Sequence, residues 1–392
     1  MQSLLSMILA NYGQEIMRPG PERIERALKD ILPHFSKSKV VIIAGTNGKG
    51  ETTLRLSKLL KAHTHYVWTS PHIERITERF RDEKGEISLS ELKALVEFCH
   101  QKAQAEKYEL SFYEFLFFVF CTWASKNPPE YLLLEVGLGG RLDAVNVFSA
   151  DLVLLPSVSR DHQEILGRRF DQILHEKLGT LRGRTTLIHF LHSQYLAELA
   201  TREASRVGAE VIGLKNIISV PEYDFSVRNE ALAGAAYCHL LHQDFIPQNW
   251  VNPVSLLEFR GEVIKKKHEW IFFGSHNVDG VRKLIQFLHS GTYTFSRPPY
   301  DLIVMAFSKR NLQDVRVMLK MAKQARIGKI VLTVFDHPKA MPQDVMESIS
   351  LEEGLEFVQN IESYINEQNE NLRILVAGSY YFIGHVRSLG CL

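Results

Sequence analysis

The segment Ala44-Gly45-Thr46-Asn47-Gly48-Lys49-Gly50-Glu51-Thr52-Thr53 has the residue types of an anion cradle. Glycines let a short loop fold around a phosphate with its backbone N–H groups pointing inward. A β-branched run at residues 39–44 leads in, and a helical stretch at 52–62 leads out. The helix start adds partial positive charge, and Lys49 adds a full one. The common spacing G-x-x-x-x-G-K-[ST] does not fit, because Ile43 stands at its first glycine; here Gly45 lies three residues before Gly48. A plain glycine turn with an exposed lysine is the alternative, and the flanking strand and helix speak against it. The chemistry expected is the binding of nucleotide phosphates.

Other residues suit that chemistry less specifically. Glu135 ends a buried apolar run, where a carboxylate is expensive unless paired or metal-bound. A hard cation that bridges phosphates takes one or two carboxylates plus substrate oxygens. Asp161-His162 follows the strand expected at 151–155, at the ligand edge, although a lone histidine is usually structural. Lys177 reads as a helical lysine near a C-terminus, where a cation suits the dipole. Thr69-Ser70-Pro71-His72-Ile73 is a turn that runs into the mixed-charge stretch 74–81, on its own a solvated loop. Asn229 opens a helix, and Arg260 stands in a polar linker.

Taken in order over nearly the whole chain, these motifs resemble the folylpolyglutamate synthase and dihydrofolate synthase family of the Mur ligase superfamily. Gly45 to Gly50 is similar to its ATP loop, and Ala377-Gly378-Ser379-Tyr380-Tyr381-Phe382-Ile383-Gly384 is similar to its final strand, turn and helix. The resemblance implies ATP contacts from Gly45, Thr46, Asn47, Gly48, Lys49, Gly50, Glu51 and Thr52. It adds Asn229 on the adenine side, and Arg260 and His276 reaching the phosphates from a second domain. It implies magnesium ligands at Ser70, Glu135 and His162, and a carbamylated Lys177 bridging to a second magnesium. Ser111, Tyr113, Asp143 and Ala144 resemble residues that hold a pterin ring in bifunctional members. Lys49, Lys177, Arg260 and His276 are the catalytic residues so implied.

The implied reaction is ATP-dependent addition of L-glutamate to dihydropteroate or a reduced folate. A carboxylate is a poor acyl donor at neutral pH, and phosphorylation turns one oxygen into a leaving group. The amine then displaces phosphate and an amide forms. Such a transfer needs charge neutralisation, alignment and exclusion of water more than acid–base chemistry.

Three departures from the family pattern stand out. Glu51 follows Gly50 where Ser or Thr is usual. A carboxylate beside a triphosphate should repel it. Thr52 is therefore expected to supply the hydroxyl, with Glu51 turned to solvent or to a cation, and Glu51→Ser is expected to bind ATP equally or more tightly. Phe273-Gly274-Ser275-His276-Asn277 replaces Asp-Gly-Ala-His-Asn, and Ser308-Lys309-Arg310 replaces Asp-Lys-Asp. These changes keep a rival alive, a non-catalytic nucleotide-binding relative. A cell-wall Mur ligase is a weaker rival, since it calls for a further N-terminal domain and 44 residues precede Gly45.

The elements that must position these groups form two series of apolar runs separated by helical patterns. Strands are expected at 39–44, 66–68, 131–136, 151–155 and 185–190, with helices at 89–106, 112–125, 170–180 and 194–207. A second series has strands at 270–273, 302–306, 329–334, 355–358 and 373–377, with helices at 278–288, 312–325, 361–369 and 380–388. Continuous apolar strands with helical crossovers indicate parallel α/β sheets. The fold class expected is α/β: an N-terminal P-loop-type ATPase domain with a mainly parallel sheet over 1–258, a linker at 259–268 and a smaller Rossmann-like domain over 269–392.

The chain of 392 residues, 45% hydrophobic and 23% charged with a formal net charge of +1, has no long-range basic field for nucleic acid. Its four cysteines, Cys99, Cys121, Cys238 and Cys391, have no metal-ligand spacing and form no disulfide framework. A reducing cytoplasm is expected. The apolar start at 1–10 lacks the flanks of a signal peptide and reads as an amphipathic helix. No run reaches about 18 apolar residues, so no membrane partner is expected. The partners implied are small molecules, with magnesium as the metal, and the resemblance implies a monomer.

Overall fold

A computed structural model describes residues 2–13, 18–250, 260–291, 298–368 and 370–390. The contacts divide the chain into two compact units, Met1–Val220 with Val227–Asn252, and Pro221–Ser226 with Pro253–Leu392.

The first unit holds strands β1 (Lys39–Ile43), β2 (His65–Trp68), β3 (Phe80–Asp82), β4 (Gly85–Glu86), β5 (Tyr131–Glu135), β6 (Leu152–Leu155), β7 (Thr186–His189) and β8 (Glu210–Gly213). They form one sheet in the order β4-β3-β2-β5-β1-β6-β7-β8. All neighbours are parallel except β2-β3 and β3-β4 at one edge. Its helices are α1 (Gln2–Tyr12), α2 (Glu22–Leu28), α3 (Lys49–Leu59), α4 (Leu89–Ala105), α5 (Phe112–Ala124), α6 (Gln163–Leu166), α7 (Phe170–Leu178), α8 (Gln194–Val207) and most of α9 (Phe225–Leu240).

Alternate residues of the central strands feed opposite faces, as the two-residue strand period requires. Val40, Ile42, Leu132 and Leu134 join a core with Phe117 and Phe120 of α5. Val41, Ile43 and Leu133 join another with Leu56 and Leu60 near α3 and with Leu232 of α9. Helix α5 is apolar nearly all round and correspondingly buried. It starts at a capping box, in which Ser111 Oγ accepts from Glu114 N while Glu114 Oε2 accepts from Ser111 N. Strand order reverses at β1, with β5 and β2 on one side and β6 on the other. The ligand crevice of such a sheet lies outside the carboxyl ends at that switch point.

The second unit holds β9 (Arg260–Lys265), β10 (Glu269–Phe273), β11 (Tyr300–Ala306), β12 (Gly328–Thr333), β13 (Glu356–Val358) and β14 (Arg373–Gly378), in the order β13-β12-β11-β14-β10-β9. Its further helices are α10 (Val278–Ser290), α11 (Leu312–Ala325), α12 (Gln343–Glu353), α13 (Ile361–Asn366) and α14 (Tyr380–Arg387). Only β9 runs antiparallel to its neighbour among these pairs. This corrects the linker expected at 259–268: residues 260–265 are an edge strand bonded to β10. Polar and charged residues suit an edge strand's exposed side, which is why the segment reads as a connector. Residue 259 lies outside the described residues.

Phe273 ends β10 in the apolar core of this unit, edge-on to Phe287 and Phe225. Its departure from the family's acid is thus a core packing residue. Among the described residues no helix is long and apolar enough to cross a membrane. Cys99, Cys121 and Cys238 are buried thiols, and Cys391 lies outside the described residues.

Candidate active site

The residues singled out in the first unit gather at carboxyl ends of adjacent strands. The loop from Gly45 follows β1, Ser70 follows β2, Glu135 ends β5, and Ser157 and Ser159 follow β6. Ile43 stands in register with Glu135 across β1 and β5.

The loop is stitched to the segment after β6. Thr46 N donates to Ser157 O at 3.0 Å, and Asn47 N donates to Ser157 Oγ at 2.9 Å. Thr46 Oγ1 donates to Ser159 O and accepts from Ser159 N. Sequence reasoning passed over these serines, although they directly follow a strand on the ligand edge. Gly48 is left-handed, with φ of 91°. A Cβ there would lie 2.7 Å from Asn229 Oδ1, so only glycine fits against that side chain.

Lys49 Nζ folds back on the loop, 3.1 Å from Gly45 O. Lys177 Nζ, from α7, donates to the same carbonyl at 3.0 Å. Lys177 is buried, and burial followed by the charge of Lys49 pulls its amine down to about 7, against the opposing effect of Asp161. The sequence reading of a dipole-satisfying helical lysine misses this, because the neighbours arrive from β1's loop. Thr52 is wholly buried, and its Oγ1 has no hydrogen-bond partner among the described residues. A buried hydroxyl without a partner is costly unless a ligand completes it. Thr52 Oγ1 therefore fits the expected hydroxyl role toward a metal or phosphate.

Glu51 lies in the first turn of α3 and is 2% exposed. Its Oε1 accepts from Arg55 Nε and Nη2, at 3.1 and 2.8 Å, and its Oε2 accepts from Asn229 Nδ2 at 2.9 Å. Of the two orientations expected, the cation is the one observed, and it is Arg55. Asn229 is buried within α9, four residues past its start, rather than opening the helix.

Glu135 is buried at 4% exposure, and its Oε2 accepts from Ser70 N at 3.1 Å. The stretch after Ser70 is not a solvated loop. Buried Glu78 accepts from the N–H groups of Ile73, Glu74 and Arg75, and buried Arg79 donates to His72 Nδ1. His162 is left-handed and half-exposed, with Nδ1 3.7 Å from Glu164 Oε1. Among the described residues no three His, Cys, Asp or Glu side chains form a metal-binding group. Ser70 and Glu135, which meet through the hydrogen bond from Ser70 N, carry oxygens of the kind a magnesium ion takes beside phosphate and water.

The residues expected around a pterin ring bond to one another and to the backbone. Tyr113 OH donates to Asp143 Oδ1 at 3.2 Å and accepts from Trp68 Nε1 and Gly137 N, both at 3.1 Å. Asp143 also accepts from Leu138 N and Val145 N. Burial pushes the Asp143 carboxyl up to about 6, against its hydrogen bonds. Ser111 is the N-cap of α5, and Ala144 is a buried residue of the turn that Asp143 caps. His276 and Arg260 belong to the second unit. His276 lies just past β10, where Nδ1 pairs with Gly274 O at 3.0 Å. Arg310 Nη1 donates to His276 O, and Ser308 Oγ meets Ser379 Oγ at 2.6 Å.

No protein-family model matches the chain. A dihydrofolate synthase/folylpolyglutamate synthase of Bacillus subtilis (strain 168) is 23% identical over 416 aligned residues, covering 95% of each chain. Its namesake in Escherichia coli (strain K12) is 36% identical over 152 residues, 38% of this chain and 35% of that protein. Among solved structures, a bifunctional folylpolyglutamate synthase/dihydrofolate synthase with Mn, AMPPNP and L-glutamate bound aligns with a TM-score of 0.78 at 21% identity, over 98% of this chain and 97% of the other. The E. coli protein in complex with DHPP and ADP aligns with a TM-score of 0.79 at 21% identity, over 98% and 96%. At these identities the structures speak to fold, which they share.

Proposed function

We propose that the chain is a member of the dihydrofolate synthase/folylpolyglutamate synthase family and that it joins L-glutamate to dihydropteroate or a reduced folate at the cost of ATP. The observation that carries this reading is the buried, unpartnered Thr52 hydroxyl beside a lysine-bearing glycine loop, at the strand ends shared with Glu135. Relatives with ATP analogues, manganese and glutamate bound support it.

In this reading Lys49 and the N–H groups at the start of α3 bind the phosphates and hold them in line with the acceptor carboxylate. Ser70, Glu135 and His162, with Thr52 supplying the loop hydroxyl, would hold a magnesium ion, which when bound would neutralise charge on the transferred phosphoryl group. Attack of the carboxylate oxygen on the γ-phosphorus breaks the bond to ADP. The glutamate amine then attacks the acyl carbon, loses a proton and expels phosphate.

We assign carbamylation to Lys177 on the same premise. Its depressed amine is neutral in a substantial fraction near neutral pH. The nitrogen lone pair attacks carbon dioxide, a proton leaves to solvent, and the side chain becomes an anion that can serve a second magnesium. NMR with isotope-labelled bicarbonate should show a carbamate that Lys177→Met abolishes; no such signal would remove the assignment. Phosphate contacts by Arg260 and His276 rest on the resemblance, and unchanged kcat in His276→Ala would remove that role.

The decisive assay is incorporation of radiolabelled glutamate with ATP, magnesium and either dihydropteroate or tetrahydrofolate. Product with at least one acceptor is expected. No incorporation with either, under varied cations, would leave a non-catalytic nucleotide binder.

A further inference from the structure

Glu51 is the residue the family pattern does not explain, and its surroundings reverse the sign of its expected effect. A free carboxylate in the first turn of a helix that faces phosphate would oppose binding. This carboxylate is not free. One oxygen takes two donors from Arg55, and the other takes the Asn229 amide. Burial alone would lower the affinity of Arg55 for its proton, but Glu51 and Glu230 raise it above the ordinary value. The negative charge of Glu51 is thus matched inside the protein.

The same atoms join two helices. Glu51 and Arg55 stand one turn apart on α3, and they meet Asn229 and Glu230 on α9. Arg55 Nη1 reaches Glu230 Oε2 at 2.7 Å. The Asn229 carboxamide is held at both ends, because its Oδ1 accepts from Arg228 at 3.3 and 3.4 Å. Held this way, it lies against Gly48, where even a Cβ would collide with it. The glycine on which the loop turns toward Lys49 therefore rests on a side chain that Glu51 orients.

We propose that Glu51 is a positioning residue of the nucleotide site, fixing Asn229 as the back wall of the phosphate loop and tying α3 to α9 through Arg55. The proposal rests on the loop's binding nucleotide. It does not depend on which acid or amine is joined. Removing the carboxylate strands a buried guanidinium and a buried amide N–H, and such losses exceed the net worth of the bonds themselves.

The test is calorimetric titration of ADP into wild-type protein, E51S, E51Q, N229D and the double variant E51Q/N229D, with circular dichroism to confirm folding. Glu51→Ser should weaken ADP binding by roughly tenfold, the size expected when a buried partner is lost. E51Q/N229D restores a donor and an acceptor with their places exchanged. It should lose clearly less ADP affinity than the product of the two single losses, a coupling that only neighbours in one network show. Unchanged or tighter binding by E51S would overturn the proposal. So would a double variant whose loss is the product of the two singles, or variants that lose thermal stability but keep ADP affinity. If E51S does not fold, the near-isosteric E51Q series measures the same coupling. Wild-type protein that binds no ADP would overturn the nucleotide reading along with this one.

Discussion

Two polar clusters of the first unit look alike in sequence and differ in what they leave open. Around the loop, Thr52 keeps a buried hydroxyl with no protein partner among the described residues, and Lys49 rests on its own loop's carbonyls. Around Tyr113, three hydrogen bonds use the phenol, and Asp143 is bonded through both oxygens. The first cluster has unspent bonding capacity. The second has spent its capacity on holding β2, β5 and α5 together. Residue type therefore does not separate a binding group from a structural one; the balance of donors and acceptors does.

That contrast can be broken at either end. The largest effect should come from Lys49→Ala, which should lower kcat/KM about a thousandfold in steady-state assays while leaving the melting temperature little changed. Thr52→Val should lower kcat by roughly ten- to a hundredfold and steepen the magnesium requirement. Because the hydroxyl it removes has no partner, the same change should raise stability by about 1 kcal/mol on denaturant unfolding. Tyr113→Phe should do the reverse. It leaves Trp68 Nε1 and Gly137 N without their acceptor and should cost about 1–3 kcal/mol on denaturant unfolding. A Thr52→Val protein that loses stability, or a Tyr113→Phe protein that loses turnover but not stability, would erase the distinction.

The smallest effect is one of pH. The Asp143 carboxyl is raised to about 6 by burial, so the fold favours its neutral form. The stability this group contributes is fully present below its unfolded pKa and is lost as pH rises through about 6. Unfolding of wild type against Asp143→Asn, followed from about pH 4 to pH 7, should show wild type losing ground as pH rises. A difference that grows with pH in favour of wild type would mean the carboxylate is the form the fold prefers.

The parallel sheets were legible because strand period, apolar runs and glycine spacing are local properties. The run at 112–125 and the loop at Gly45 sit where their residue types put them. Less local features escaped. Edge strand β8 is short and half-exposed, and α12 is largely polar outside its buried Met346 and Ile349, so neither carries a strong period. Strand β9 read as a connector for the same reason.

What the sequence determined by itself is the list of groups and the strand ends that carry them: a glycine loop with Lys49, then Ser70, then Glu135, each just after an apolar run. What only the tertiary structure decided is how those groups are spent. Glu51 is a carboxylate beside a phosphate loop until Asn229, 178 residues away in the chain, arrives to bond it. Lys177 is an ordinary helical lysine until Gly45 O, 132 residues away, buries it against Lys49. Hydrogen bonding and desolvation depend on neighbours in space, and the fold chooses those neighbours from distant parts of the chain.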